Sequence, residues 1–360
     1  MGISKMHHPQ TMTTQPSEAE DFYLRGRYYW NQRTAKGLDE AILSFEEALR
    51  ADPLYAKGYA GLASTYDLMP EYGTVPGEEA FPRAIEAASK AIKLDASLSE
   101  AHRALAFAQF YGNWDIQVST AEFQRAIDLA PNDTDAHHWY ATALLTIGQS
   151  AKAEEQIEEA RRLDPTSRSV LVDRAFIELE TRDRERGLHA LQALEKSEPQ
   201  FVSVHRFLAK AYLDDADYAD FLSQMEQTGE FSGMQEEKDI AAAARRGWHH
   251  AGRDGMLHGM LSVYKSYFKQ GKESGYNVAR IDALLGNREE SVHYLESAYH
   301  AHDYMVMTIA QGNMATALGD YAPYRHLQAE VQGRIASQWS QARASVDKPT
   351  FDSWNTANPH

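Results

Sequence analysis

The chain has no cysteine in 360 residues. Disulfide scaffolding, thiolate catalysis and cysteine-based zinc sites are excluded at once. No apolar run reaches the roughly 18 residues that a spanning helix needs, so membrane insertion is not expected. The start, M-G-I-S-K-M-H-H-P-Q, lacks the apolar stretch of a secretory signal. Basic residues are scarce: 36 Lys and Arg stand against 52 Asp and Glu, for a formal net charge of −16. Nucleic acid is not an expected partner, because phosphate neutralisation needs a dense basic face. Catalytic signatures are missing too. There is no G-x-S-x-G, H-E-x-x-H, Walker loop or G-x-G-x-x-G, and the S-V-Y-K string at Ser262–Lys265 lacks its companion motifs. The expectation is a non-enzyme with no cofactor.

What is present is a period. Pro131, Pro165 and Pro199 recur every 34 residues. Between the first two, small residues fall where paired helices need them: Ala141 on a first helix, Gly148 in a turn, Ala153 and Ala160 on a second. Such a period is the mark of a stacked helix–turn–helix unit. No segment alternates polar and apolar residues as a strand would, so the class is all-α.

With this ruler the chain divides as follows. Residues 1–17 read as a disordered lead-in. About six repeats fill 18–226. The second carries a Pro- and Gly-rich insertion, M-P-E-Y-G-T-V-P-G-E-E-A-F-P, expected to be a surface loop over 69–82. The fifth has drifted, with Arg174, Gly187 and Leu194 at marker positions, and the sixth loses the pattern near Phe221. Residues 227–274 read as an irregular helical pair, in which A-A-A-A-R-R-G-W-H-H-A-G ends one helix at glycine. The pattern returns over 275–302, capping helices follow to 340, and 341–360 read as a tail.

The period and its small residues resemble the tetratricopeptide repeat family. The strings Y-L-R-G-R-Y-Y-W-N-Q-R-T (23–34), Y-A-G-L-A-S-T-Y (59–66), A-L-A-F-A-Q-F-Y-G-N-W-D (104–115) and H-H-W-Y-A (137–141) are similar to the repeat regions of bacterial regulators that carry a winged-helix or kinase domain. The resemblance implies a right-handed superhelical solenoid in which first helices line a concave groove. It also implies a cytoplasmic chain, or a periplasmic one if cut from a membrane-anchored regulator. Carried onto this sequence, the inward positions are Tyr23, Arg27, Trp30, Lys57, Arg103, Phe107, Phe110, His138, Thr142, Phe176, Arg206 and Lys210, with Tyr111 adjacent. Aromatic and basic side chains dominate that set. The expected function is a protein- or peptide-binding scaffold whose partner is acidic. A second copy of the chain is admitted as a partner. The competing readings are a sensor for a small molecule or peptide, closed over by 69–82 or 227–274, and an all-α enzyme. Against the groove stands the plainer alternative that the aromatics fill a tight superhelix and the cations pair with neighbouring carboxylates.

The 15 histidines invite a metal hypothesis. His102, His137 and His205 occupy one equivalent position in three repeats, a packing position, and are strung along the array rather than converging. His137–His138 and His249–His250 are neighbours in sequence, so on a helix they point about 100° apart. The run D-D-A-D-Y-A-D (214–220) lacks the glycine and distal Glu of a calcium loop and falls at a turn. No metal is expected.

Overall fold

Small residues set how closely the helices of this chain approach. Phe45 lies between Gly26 and Gly61, and a Cβ at either glycine would fall 2.5 Å from its ring. One aromatic side chain thus locks three successive helices. The computed structural model describes residues 17–72 and 75–346, and among them there is no strand. The helices pair antiparallel in sequence order. The pairs are α1 (Glu18–Trp30) with α2 (Ala35–Ala51), α3 (Ala56–Tyr72) with α4 (Gly77–Leu94), and α5 (Ser99–Asn113) with α6 (Ile116–Leu129). Next come α7 (Thr134–Thr146) with α8 (Ser150–Leu163), α9 (Arg168–Thr181) with α10 (Arg184–Ser197), and α11 (Val202–Asp214) with α12 (Tyr218–Ser232). First helices also stack on first helices, α1 on α3, α3 on α5, α5 on α7, α7 on α9 and α9 on α11. That stacking is what makes the array a solenoid with an inner face.

The fourth pair shows why these residues give this unit. Asp133 caps α7, its carboxylate accepting from the Asp135 and Ala136 amides, and so satisfies two of the donors that a helix start leaves open. Gly148 turns the chain at φ 73°, a left-handed conformation that costs glycine little. Ala141, Ala153 and Ala160 are fully buried at the helix contacts. The N-W-D turn works differently: Trp114 itself takes φ 55° and Asp115 caps α6 through the Val118 amide.

The insertion at 69–82 is not the surface loop expected of it. α3 continues through Pro70 to Tyr72, and α4 starts at Gly77 and contains Pro82. A proline inside a helix costs about 3 kcal/mol. Burial of Met69, Tyr72 and Phe81 outweighs it, at about 1.5–3 kcal/mol for each large side chain. Tertiary burial therefore overrides the local breaker signal.

Beyond the sixth pair, α13 (Gln235–Lys269) is two helices that meet at Ala251 and Gly252. They run antiparallel: the Tyr267 hydroxyl donates to Asp239 at 2.6 Å, near the open end of the hairpin. Gly247, Gly255 and Gly259 let the backbones touch; a Cβ on Gly247 would lie 2.0 Å from the Gly255 carbonyl oxygen. α14 (Gly275–Leu284) then pairs with α15 (Arg288–His300). A 3-10 helix (Tyr304–Thr308), α16 (Gly312–Leu318) and α17 (Ala322–Val346) complete the described chain. α17 runs past 340, so the expected tail is helical as far as Val346. The lead-in before Ser17 and the rest of the tail lie outside the described residues; Ser17 itself caps α1 through the Glu20 amide.

The last helices do not extend the array. α17 lies back on α6, where the Gln338 side-chain oxygen accepts from the Ile116 amide at 2.8 Å. Trp114 is held between Tyr299 and Arg334, and Lys152 lies over the Trp339 ring. The C-terminal end is thus tied to the third and fourth pairs.

Candidate functional site

The inner face is narrow, and its side chains reach across two or more repeats. The Tyr23 hydroxyl donates to Glu100 at 2.7 Å, and Arg27 bonds the same carboxylate at 2.7 Å and approaches Asp135 at 3.8 Å. Trp30 is buried, donates its indole N–H to the Ser64 carbonyl at 3.0 Å, and packs on Trp139 with ring centres 6.0 Å apart. Phe107 lies 4.7 Å from Trp139 and 4.3 Å from Tyr111. Phe110 is buried against Tyr111. The Tyr111 hydroxyl donates to Thr142, and burial pushes its pKa up to about 12. These residues form the first half of the expected groove, and most of them are core.

The charges are equally occupied. Arg103 is 2% exposed, clamped by Asp133 at 3.1 Å, near Asp135 and Glu100, and stacked on Trp139. Burial opposes the charge of this guanidinium, but the carboxylates of Asp133, Asp135 and Glu100 hold it protonated above its ordinary value. Lys57 pairs with Glu20 at 3.4 Å, Arg206 with Glu237 at 3.0 Å and Glu71 at 3.8 Å, and Lys210 with Glu180 at 2.7 Å and Asp214 at 2.9 Å. The inner face is therefore not a free basic surface. Its cations are neutralised by carboxylates of this chain, which removes the charge argument for an acidic partner. His138 bonds Asp173 through Nε2 at 2.5 Å while its Nδ1 is buried without a partner. Asp67 is buried with both oxygens unpartnered, and burial pushes its carboxyl well above the usual range against the pull of Arg103.

The second half is more open. Phe176 stacks on Phe207 with centres 4.1 Å apart and planes 11° from parallel, and Lys210 lies over Phe176. Phe176, Phe207, Arg206 and Lys210 are all partly exposed. Between the halves the channel is pinched. The Tyr72 hydroxyl meets Ser203 at 2.6 Å, which joins the second pair to the sixth. Tyr304 packs edge-on to Tyr111 at 5.0 Å, and the Asn313 amide donates to Asp214 at 3.4 Å.

Reasoning on the sequence missed this crossing. Tyr72 lay in a presumed loop and Tyr304 in a presumed cap, and no local pattern pairs residues so far apart. Trp139 was visible in the H-H-W-Y string but fell outside the inward positions. The Asp run at 214–220 caps and pairs: Asp217 accepts from the Asp220 amide, Asp215 binds Arg184, and Ala216 turns at φ 58°. Two depressions lie elsewhere, one of about 310 Å³ between α6–α8 and Trp339 and one of about 70 Å³ among Glu154, Arg174 and Arg186.

The chain is an all-α solenoid of stacked antiparallel helix pairs, the arrangement seen in tetratricopeptide repeats. Residues 122–155 match the family model described as "Tetratricopeptide repeat". The "Transcriptional regulator HilA" of Salmonella typhimurium is 29% identical over 155 residues, 43% of this chain and 28% of that protein. "Superkiller protein 3" of Schizosaccharomyces pombe is 29% identical over 156 residues, 41% of this chain and 10% of that protein. The chain thus spans well under two thirds of these curated relatives. The solved structure of the human IFIT1 dimer with m7Gppp-AAAA is 16% identical, covers 82% of this chain and 68% of that one, and gives a TM-score of 0.53, a likeness of fold. Among the described residues no helix is long and apolar enough to cross a membrane.

Proposed function

We propose that this chain is a non-catalytic scaffold that holds a segment of a partner protein against its inner face, centred on α9 and α11. The observation that carries this is the Phe176–Phe207 stack, flanked by Arg206 and Lys210. Two stacked aromatics left partly exposed beside cations match the composition of interface anchors. The first half of the inner face is sealed by its own packing and offers no comparable anchor. The partner segment brings an apolar side chain to the stack and charges of both signs, because each cation it engages must be released from Glu180, Asp214 or Glu237. The likeness to a stretch of a transcriptional regulator supports a place in a regulatory assembly.

The test is capture of partners from the source cell on purified chain, with bound proteins identified by mass spectrometry. The Phe176→Ala, Phe207→Ala double variant should keep its helical circular dichroism and lose at least tenfold in captured partner. Equal capture by the folded double variant sinks the proposal. Arg103 is unsuitable for such a test, since its removal would leave the half-buried Asp133 and Asp135 without their buried counter-charge.

A further inference from the structure

The outer face of α1 carries what the rest of the array hides. Five large hydrophobic side chains stand exposed among the described residues, and Leu24, Tyr28, Leu43 and Leu54 all belong to the first repeat. Single apolar side chains on a surface need no explanation, but a cluster in one repeat does. Leu24 is 52% exposed and Tyr28 66%. They are one helical turn apart, so they share one face of α1. Later repeats show what that face is for. Each first helix buries a small residue, in turn Gly26, Ala63, Ala106, Ala141, Ala175 and Ala209. Two residues beyond it, Tyr28 is replaced by Thr65, Ala108, Ala143, Ile177 and Ala211, and all of these are buried. Two residues before it, Leu24 is replaced in the next three repeats by Gly61, Ala104 and Trp139, buried as well. The preceding pair covers this position: a Cβ on Gly61 would strike the Phe45 ring of α2. α1 is the first described helix. It packs on α2 and α3, and its Leu24 and Tyr28 stay open to solvent. The face is a stacking surface without its stack.

The charges on the face say what fits it. Glu18, Asp21 and Arg25 are exposed and follow the same three- and four-residue steps as Leu24 and Tyr28. None of the three has an ion-pair partner among the described residues. Arg25 donates to the Ser44 hydroxyl at 3.3 Å and lies over the Phe22 ring, but meets no carboxylate. A second α1, laid antiparallel on the first about a twofold axis level with Tyr23, supplies what is missing. Asp21 and Arg25 stand equally far from that axis, so each copy's Asp21 faces the other's Arg25, twice over. Glu18 and Tyr28 are also equidistant from it, so the Tyr28 hydroxyl faces a carboxylate. Leu24 lies beside the axis and faces its own copy. A parallel arrangement would instead set like charges together. The antiparallel one also aligns the helix dipoles favourably, and its contact is self-complementary, as a twofold interface must be.

We propose that the exposed face of α1 is a self-association surface, on which two copies of this chain pair their α1 helices antiparallel, with Asp21 of each copy on Arg25 of the other and Leu24 and Tyr28 in the seam. This inference does not rest on the scaffold reading, which uses α9 and α11, and either can fail alone. α1 has 13 residues and is about 20 Å long, so the contact is smaller than a standard interface. The dimer should therefore be weak, with a Kd of about 10–100 μM.

The test is sedimentation velocity of the full chain from about 1 to about 300 μM. The native chain should pass from monomer towards dimer over that range. A Leu24→Glu, Tyr28→Glu chain, altered only at exposed positions, should keep its helical circular dichroism and stay monomeric. Asp21→Arg alone and Arg25→Glu alone should each weaken the dimer about tenfold, because each sets like charges opposite one another twice. An equimolar mixture of those two variants should recover the native affinity, since every facing pair is then opposite in sign. A merely structural role for either residue would give no such recovery, and the mixture carries the test if the Leu24→Glu, Tyr28→Glu chain does not fold. A native chain that stays monomeric throughout overturns the proposal, whichever other chain or segment covers α1. So does a dimer that the folded Leu24→Glu, Tyr28→Glu chain retains, which would be built on another surface. Failure of the mixture to recover refutes the antiparallel pairing.

Discussion

His102, His137 and His205 perform the same task in three repeats. Each Nε2 meets the carbonyl oxygen six residues earlier, at Ala96, Pro131 and Pro199, at 2.9–3.1 Å. Each Nδ1 meets a side chain on the following helix, Glu122 at 2.6 Å, and Gln156 and Gln224 at 2.7 Å. The ring therefore staples the loop before a first helix to the second helix of the pair. Only the first staple hydrogen-bonds a carboxylate directly; His205 has Glu195 at a looser 3.9 Å. Burial pulls His102 down, but the hydrogen bond and charge of Glu122 and the Ala96 carbonyl outweigh it, and its folded value is raised. A raised value means stability that is present below the unfolded value near 6.5 and lost as pH rises through the folded one. The melting temperature of the native chain minus that of Glu122→Gln should thus be larger at pH 6 than at pH 8.5, by the equivalent of about 1 kcal/mol. A difference that does not change with pH would show that the ring stays neutral.

At the scale of the element, the α13 hairpin depends on glycine at its closest backbone approach. At Gly247 the obstacle to a Cβ is the Gly255 carbonyl, 2.0 Å away, and backbone cannot swing aside as a flexible side chain can. Gly247→Ala should therefore cost about 3 kcal/mol, at the upper end for overpacking, and lower the denaturation midpoint. Gly148→Ala is a useful contrast. A Cβ there meets nothing within 4 Å, but the backbone stands at φ 73°, so its cost is conformational and about 1 kcal/mol. Chemical denaturation of both variants orders them, and a Gly247→Ala chain as stable as the native one would contradict the close approach.

At the scale of the molecule, contacts distant in sequence tie the array together. Tyr72 to Ser203 spans 131 residues and Ile116 to Gln338 spans 222. In a Gln338→Ala, Trp339→Ala chain, amide exchange should speed up at Ile116 and across the first turn of α6, while α1 to α4 keep their protection. Hydrogen–deuterium exchange by mass spectrometry resolves the two regions, and unchanged protection at 116–120 would mean that α17 does not hold that helix start.

The repeat was legible in the residues themselves. A 34-residue proline spacing, alanines at helix crossings and Gly148 at a turn are local requirements, set by backbone sterics and by the distance at which two helices pack. They led to an all-α array of paired helices; the solenoid and the inward positions were what the resemblance added. The character of the inner face was not legible. Arg27, Arg103, Arg206 and Lys210 read as a basic groove because their counter-charges lie on other repeats, such as Glu100 for Arg27 and Glu237 for Arg206. The helix through Pro70 and the Tyr72–Ser203 pinch were equally hidden. Each depends on how tightly the superhelix curls. That curvature sums small offsets over many repeats, so only the folded chain decides which charges meet.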